Sequence, residues 1–334
     1  MTASPFSERL ATGRPLLLDA AMGTEIDRRG VTTALPLWSA IGLIDHPDLV
    51  RAIHRDELLA GAEIITTNTF RATERTLERA GRPPGEAHAL YRLAVSLARQ
   101  AQVAAGRTET FVAGSIAPLE DCYSPELTPP VANCLEEHQL HAQALASAGV
   151  DLLLIETMPT AREAAAALTA ARATGLPATV GFVCASPGDD DQPLRLLSGE
   201  RLAVGVETVL PQQPAAIMVN CAAAAVITRA LAELRNLTDL PTGGYANAGT
   251  VNDSTGWSAD PAVTPATYAE IASAWLDLGA AIIGGCCGTT PAHTAALRHL
   301  IDQRLTPAPL PSPRPKRSGA GQWRSMYRTS RSEQ

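Results

Sequence analysis

Short apolar runs recur along the chain, each ending on a polar or small residue and each separated from the next by a longer stretch of helical character. The runs are PLLLDA ending at Ala20, AEIITTN ending at Asn68, TFVAGS ending at Ser115 and VDLLLIET ending at Thr157. They continue with PATVGFV ending at Val183, AAIMVN ending at Asn220, the glycine-rich GGYAN ending at Asn247 and AAIIGG ending at Gly285. Between them lie HPDLVRAIHRDELLAGA, PTAREAAAALTAARATG, TPATYAEIASAWLDLGA and TPAHTAALRHLIDQRL, several of which close on the glycine expected of a helix C-terminal cap. Strands alternating with helices in this rhythm are the mark of repeated βα units around a parallel sheet.

Eight such strands predict a TIM-type (β/α)8 barrel, a single α/β domain over residues 8–305. A doubly wound sheet is the alternative, because the seventh run carries little apolar signal. The barrel is favoured by the polar residues that fall at the C-terminal strand ends: Asp19, Asn68, Ser115, Glu156, Asn220 with Cys221, Asn247 and Cys286. That face is where barrels carry their chemistry. Residues 306–334 are rich in Pro, Ser and Arg without an apolar period, and are expected to form a mobile basic tail.

Composition narrows the class of ligand. The 334 residues are 46% hydrophobic, enough for a large core, and 27 Lys+Arg against 34 Asp+Glu leave a net charge of −7. An acidic balance without a basic stripe argues against nucleic acid and favours small polar ligands. No apolar run approaches the roughly 20 residues needed to cross a bilayer and no secretion signal is evident, so the sequence reads as that of a cytoplasmic protein. In that setting the six cysteines are expected to be reduced thiols rather than a disulfide framework.

Two of those thiols are adjacent, in IIGGCCGTTPAHT over residues 282–294. A disulfide between neighbours is strained, and a shared metal is the alternative. Neighbours in a strand point to opposite faces, so Cys286 and Cys287 can share one ion only where the backbone turns; Gly284, Gly285 and Gly288 are expected to supply that freedom by entering positive φ. Cys221, after the sixth strand, offers a third sulfur. Three thiolates suit Zn²⁺ and leave its fourth position open, the pattern of a catalytic rather than a structural site. Cys122, Cys134 and Cys184 read as small buried apolar residues.

The segments LLLDAAMGTEI, LWSA, TTNTFRAT, AGSIAP, VDLLLIET, VNC, YANAG and IIGGCCGTTPAH resemble, in order and spacing, the motifs of the homocysteine S-methyltransferase family, over roughly residues 12–303. The resemblance implies a (β/α)8 barrel, zinc on Cys221, Cys286 and Cys287, and a homocysteine site with Asp19 and Glu156 on the α-ammonium. The backbone amides near Ala20 and Ala21 would take the carboxylate, with Thr67 and Ser115 lining the same site. It implies methyl transfer to the homocysteine thiolate, giving methionine, from a sulfonium or ammonium donor, S-methylmethionine or S-adenosylmethionine being favoured. Trp38, Tyr245 and Asn247 are the expected donor contacts, the two aromatics in loop-like positions and suited to a cation.

Three departures stand out: Ala20 where the family usually has glycine, NCAAAA without the usual proline, and YANAG for YPNAG. The 117–134 segment also differs, and is expected to be a loop that reshapes the acceptor pocket. Two alternatives remain open, namely methyl transfer to or from another small thiol, with or without a corrinoid partner, and binding of zinc or homocysteine without turnover. The partners are small molecules, and oligomeric state is not legible.

Overall fold

The computed structural model describes residues 4–186, 192–250 and 258–305, so the expected tail at 306–334 lies outside the described residues. All eight apolar runs form strands: β1 Leu16–Leu17, β2 Ile64–Thr66, β3 Phe111–Ile116, β4 Leu152–Met158, β5 Ala178–Phe182, β6 Ala216–Ala223, β7 Thr242–Asn247 and β8 Ile282–Gly285. They pair in parallel in the order β1-β8-β7-β6-β5-β4-β3-β2. A parallel bridge between Leu18 and Ile64 joins the first strand to the second and closes the barrel, which rules out the doubly wound alternative.

Each strand divides its side chains between two cores, as the period of two requires. Leu16, Leu18, Ile64, Ala113, Leu154 and Met218 point inward and pack together inside the barrel. Their neighbours Leu17, Ile65, Val112, Leu153, Ile217 and Val219 join the larger core under the surrounding helices. The amphipathic helices Pro47–Ala60, Glu86–Ala105 and Ala224–Leu237 turn Val50, Ile53, Leu58, Ala94, Ala98, Ile227 and Leu231 onto that outer face.

The glycines of β7 explain its weak signal. A Cβ on Gly243 would lie 2.5 Å from the Ile282 carbonyl oxygen, and one on Gly244 would lie 2.5 Å from Ile227 Cγ2. At these two positions the strand is pressed against β8 and a helix too closely for a side chain.

Among the described residues a helix plugs one end of the barrel. Helix Pro5–Ala11 starts ahead of the expected boundary at residue 8, with the Ser4 hydroxyl accepting the Ser7 amide at its N-cap. It inserts Phe6 and Leu10 into the inner core, where the Phe6 ring meets Phe111 edge-on at 5.5 Å. Phe111 opens its strand, so the plug sits at the N-terminal end. The C-terminal end is left as a cavity of about 720 Å³, a size ordinary for small-molecule sites.

Candidate metal and substrate site

The three predicted cysteines meet at the open end of the barrel. Their sulfurs all lie within 4.8 Å of one another, with Cys221 Sγ 3.9 Å from Cys287 Sγ. The adjacent pair converges because β8 ends in a turn: the Thr289 amide donates to the Cys286 carbonyl at 3.0 Å, and Gly288 takes φ +81°. Cys286 is the first residue of that turn and Cys287 the second, so both side chains face the same side.

The structure corrects the expected role of the glycines. Of the three, only Gly288 has positive φ; Gly284 and Gly285 are there for room, since a Cβ would lie 2.7 Å from Leu18 Cβ on the first and 2.2 Å from Thr289 Oγ1 on the second. The unusual backbone belongs to Cys221, at φ +56°.

Three thiols this close compete for negative charge. Hydrogen bonds from Cys286 and Cys287, with further ones from Tyr123 and Asn247, hold Cys221 well below the ordinary thiol range. The same contact with Cys221 pushes Cys286 and Cys287 well above it. All three ionise together only around a cation, and three soft sulfurs at this spacing fit Zn²⁺.

Asp19 and Glu156 are both buried and both held by hydroxyls. Asp19 accepts the Thr66 amide at 2.7 Å and the Thr66 hydroxyl at 2.8 Å, while burial pushes its pKa up to about 7 against those bonds. Glu156 accepts the Ser115 hydroxyl at 2.5 Å and the Tyr245 hydroxyl at 3.1 Å, and burial likewise raises it to about 7. Neither has a basic partner in these contacts. Thr67 lies beneath them, sharing a hydrogen bond with Thr69 and accepting the Ser115 amide.

Ala20, Ala21 and Tyr245 line the cavity, but in local settings that differ from those expected. Tyr245 is not in a loop but within β7, fully buried, with its hydroxyl on Glu156. Asn247 ends the same strand, directs its side chain to Cys221, and keeps a buried Oδ1 without a partner. The Ala20 amide donates to Glu57 Oε2 at 3.3 Å and the Ala21 amide to Thr289 Oγ1 at 3.4 Å, so both already have acceptors. Trp38 does line the cavity, at φ +41°, with its ring edge-on to Phe70 at 6.1 Å.

Sequence reading missed four residues. Glu57, on the helix before β2, is buried, takes a 2.6 Å bond from Thr294, and is pushed up to about 8 by burial and by Asp19 beside it. Tyr123 places its hydroxyl 3.1 Å from Cys221 Sγ. Cys122 is buried as expected, yet it lines the cavity and feels the charge of Cys221. Arg71 lines the cavity as well. Tyr123 and Cys122 come from the 117–134 segment, which is a loop only to Pro130; Val131 begins a helix. Glu120 anchors that loop by ion pairs to Arg75 and Arg79. Nothing in the sequence marked Tyr123, because a loop residue reveals its partner only once the loop is folded.

A profile of the homocysteine S-methyltransferase family matches residues 16–301. The homocysteine S-methyltransferase of Escherichia coli (strain K12) is 35% identical over 303 residues, covering 85% of this chain and 94% of that one. The selenocysteine methyltransferase of Astragalus bisulcatus is 27% identical over 326 residues, covering 88% and 95%. Among solved structures, the metallated form of the homocysteine methyltransferase MmuM from Escherichia coli superposes with a TM-score of 0.75 at 32% identity, covering 88% of this chain and 99% of that one. The match runs from β1 to the last described helix and takes in all three clustered cysteines: the chain belongs to the homocysteine S-methyltransferase family.

Proposed function

We propose that the protein transfers a methyl group from a sulfonium donor, S-methylmethionine or S-adenosylmethionine, to the thiolate of L-homocysteine, giving L-methionine. The observation that carries this reading is the meeting of three thiols with two cation-seeking carboxylates in one cavity. Cys221, Cys286 and Cys287 would hold zinc, which when bound keeps an incoming thiol deprotonated and soft enough to attack carbon.

The rest of the work belongs to the chain. Asp19 and Glu156 are poised to ionise when an ammonium group arrives, because burial chiefly raises their pKa values, with the negative charges of Cys221 and Asp19 adding to it at Glu156, and a cation between them opposes that penalty. Thr66, Ser115 and Tyr245 fix the direction of both carboxylates before the substrate enters. An amino acid held there by its ammonium group extends its side-chain sulfur toward the cysteines. Rate then comes from holding sulfur and methyl carbon in line at about 3–3.5 Å.

The test is methionine formation by the zinc-loaded protein with each donor, alongside zinc content, for the parent and Cys286→Ala. Loss of both in the variant is expected. Full zinc and activity in Cys286→Ala, or no methionine from the parent with any donor, would overturn the reading. The likeness to a selenocysteine methyltransferase supports a wider acceptor range as a second reading, which the same assay resolves with selenocysteine and other small thiols in place of homocysteine.

A further inference from the structure

Arg71 is the one basic side chain among the described residues that line the cavity, against four acidic ones, Asp19, Asp27, Asp121 and Glu156. Its guanidinium is largely covered, with 13% of the side chain exposed, and is incompletely used. One terminal nitrogen reaches the Glu120 carbonyl at 3.4 Å and another lies 3.6 Å from Asp121, contacts at or beyond the limit of a hydrogen bond. The Nε is buried without a partner. A planar fork with idle donors matches a carboxylate, which it binds through two parallel hydrogen bonds.

Its surroundings suit the rest of a cationic amino acid. The Arg71 guanidinium carbon sits 5.7 Å from the centre of the Phe70 ring, and that ring meets Trp38, so two aromatic walls stand beside the fork. Asp121, whose side chain is 42% exposed, accepts the Tyr123 amide at 3.1 Å on Oδ1, the oxygen nearest Arg71, which leaves Oδ2 to accept from an ammonium group beside Arg71. Two residues on, Tyr123 reaches Cys221, so one loop joins this end of the cavity to the cysteine cluster. Asp19 and Glu156 lie apart from Arg71 in these contacts and are assigned above to the acceptor.

We propose that Arg71 and Asp121 form the amino-acid end of a methyl-donor subsite, Arg71 holding the carboxylate and Asp121 the ammonium of a sulfonium amino acid whose charged sulfur lies against Trp38 and Phe70. This rests on the methyl-transfer reading. The carbon–sulfur bond of the donor breaks with its electron pair staying on the donor sulfur, and the acceptor thiolate supplies the pair for the new bond. One positive and one negative charge cancel and two neutral thioethers result. Betaine has as its one cation the methyl-bearing quaternary ammonium, with no separate N–H group to donate to Asp121, and is a poor fit.

Two ligands test the assignment: S-methylmethionine and S-methylmethioninamide, in which the carboxylate is a neutral amide. Binding of each to the zinc-loaded, full-length parent, Arg71→Gln and Arg71→Lys is measured by calorimetry, and kcat/KM with homocysteine is measured in parallel. Arg71→Gln is expected to lower the preference for S-methylmethionine over its amide by about 10- to 100-fold, the range of a charged hydrogen-bonded contact, with Arg71→Lys in between. An unchanged preference, an equal loss for both ligands, a shift in homocysteine KM instead, or a parent that binds S-methylmethionine no better than the amide or betaine would overturn the subsite. If the parent makes no methionine yet binds S-methylmethionine through Arg71, methyl transfer fails and the subsite stands. If Arg71→Gln transfers methyl with its preference intact, the reverse holds. A loss of cooperative unfolding in Arg71→Gln leaves Arg71→Lys to decide.

Discussion

Adding one methyl group beside the cysteine pair is expected to unseat it. In Gly285→Ala the new Cβ would lie 2.2 Å from Thr289 Oγ1, 2.7 Å from its Cβ and 3.0 Å from its Cγ2. Thr289 is fully buried, and rotating it moves the hydroxyl but not the Cβ, so the backbone must give as well. Rotation also breaks the 2.6 Å bond from the Thr289 hydroxyl to the Cys286 carbonyl. A lost hydrogen bond at about 1 kcal/mol and overpacking at about 1–3 kcal/mol sum to about 2–4 kcal/mol of destabilisation, a large part of a typical folding free energy. Urea denaturation reads the loss, and zinc content reads the displacement of Cys286. The double variant Gly285→Ala/Thr289→Ala removes two of the three contacts, and its stability is expected to exceed the sum of the single effects by about 1 kcal/mol or more. A Gly285→Ala protein within about 0.5 kcal/mol of the parent and holding full zinc would refute the steric argument.

Three further outcomes are expected. Asp19→Asn and Glu156→Gln each weaken homocysteine binding by about 10- to 100-fold, the worth of a charge-assisted hydrogen bond, measured by calorimetry on the zinc-loaded protein. Burial raises the folded pKa of Asp19 from 3.8 to about 7 and of Glu57 from 4.5 to about 8, so the folded state holds more protons and stability without substrate falls as pH rises from about 4 to 8. Glu57→Gln flattens that slope in denaturation curves taken across the range, and a slope that keeps its size would count against burial as the cause. Tyr268→Phe removes the hydroxyl that accepts the Ala246 amide at 2.9 Å and donates to the Gly284 carbonyl at 2.8 Å, between the ends of β7 and β8. Leaving those groups short of a partner costs about 1–3 kcal/mol in denaturation, with no change expected in far-ultraviolet circular dichroism.

What the sequence disclosed follows from how each feature is encoded. The eight strands were legible because a strand inside a barrel is apolar on both faces, and that leaves a continuous run such as LLLI whatever surrounds it. The cysteine trio was legible because few other arrangements account for two adjacent thiols behind two glycines. Glu57 was hidden, since on a helix its carboxylate looks like one more surface charge until Ala20 and Thr294 are seen to bind it. Tyr245 was misread as loop-like because the glycine-rich seventh run carries little apolar signal, and only the pairing of β7 with β6 and β8 turns that tyrosine into the barrel. Arg71 and Tyr123 depend on loops whose course no local pattern fixes.

The link between strand ends explains why residues so far apart in sequence form one site. Asn220, just before the first cysteine, accepts the Thr157 amide at 2.9 Å and donates to the Thr157 hydroxyl at 2.7 Å. Its side chain crosses from β6 to β4 over β5, and it can do so because residue 181 is glycine: a Cβ there would lie 2.7 Å from Asn220 Oδ1. Both partners sit beside left-handed backbone, Thr157 itself at φ +60° and Cys221 at φ +56°, a conformation costing about 1–3 kcal/mol at a residue other than glycine. The bond therefore clamps two strained strand ends at once, one carrying Glu156 and the other Cys221. A loosened clamp lets both relax, so the carboxylate and the thiol are positioned as a pair. That coupling is invisible in either motif alone, because VNC and IET each read as an ordinary strand end, and the glycine that permits it lies in a third strand between them.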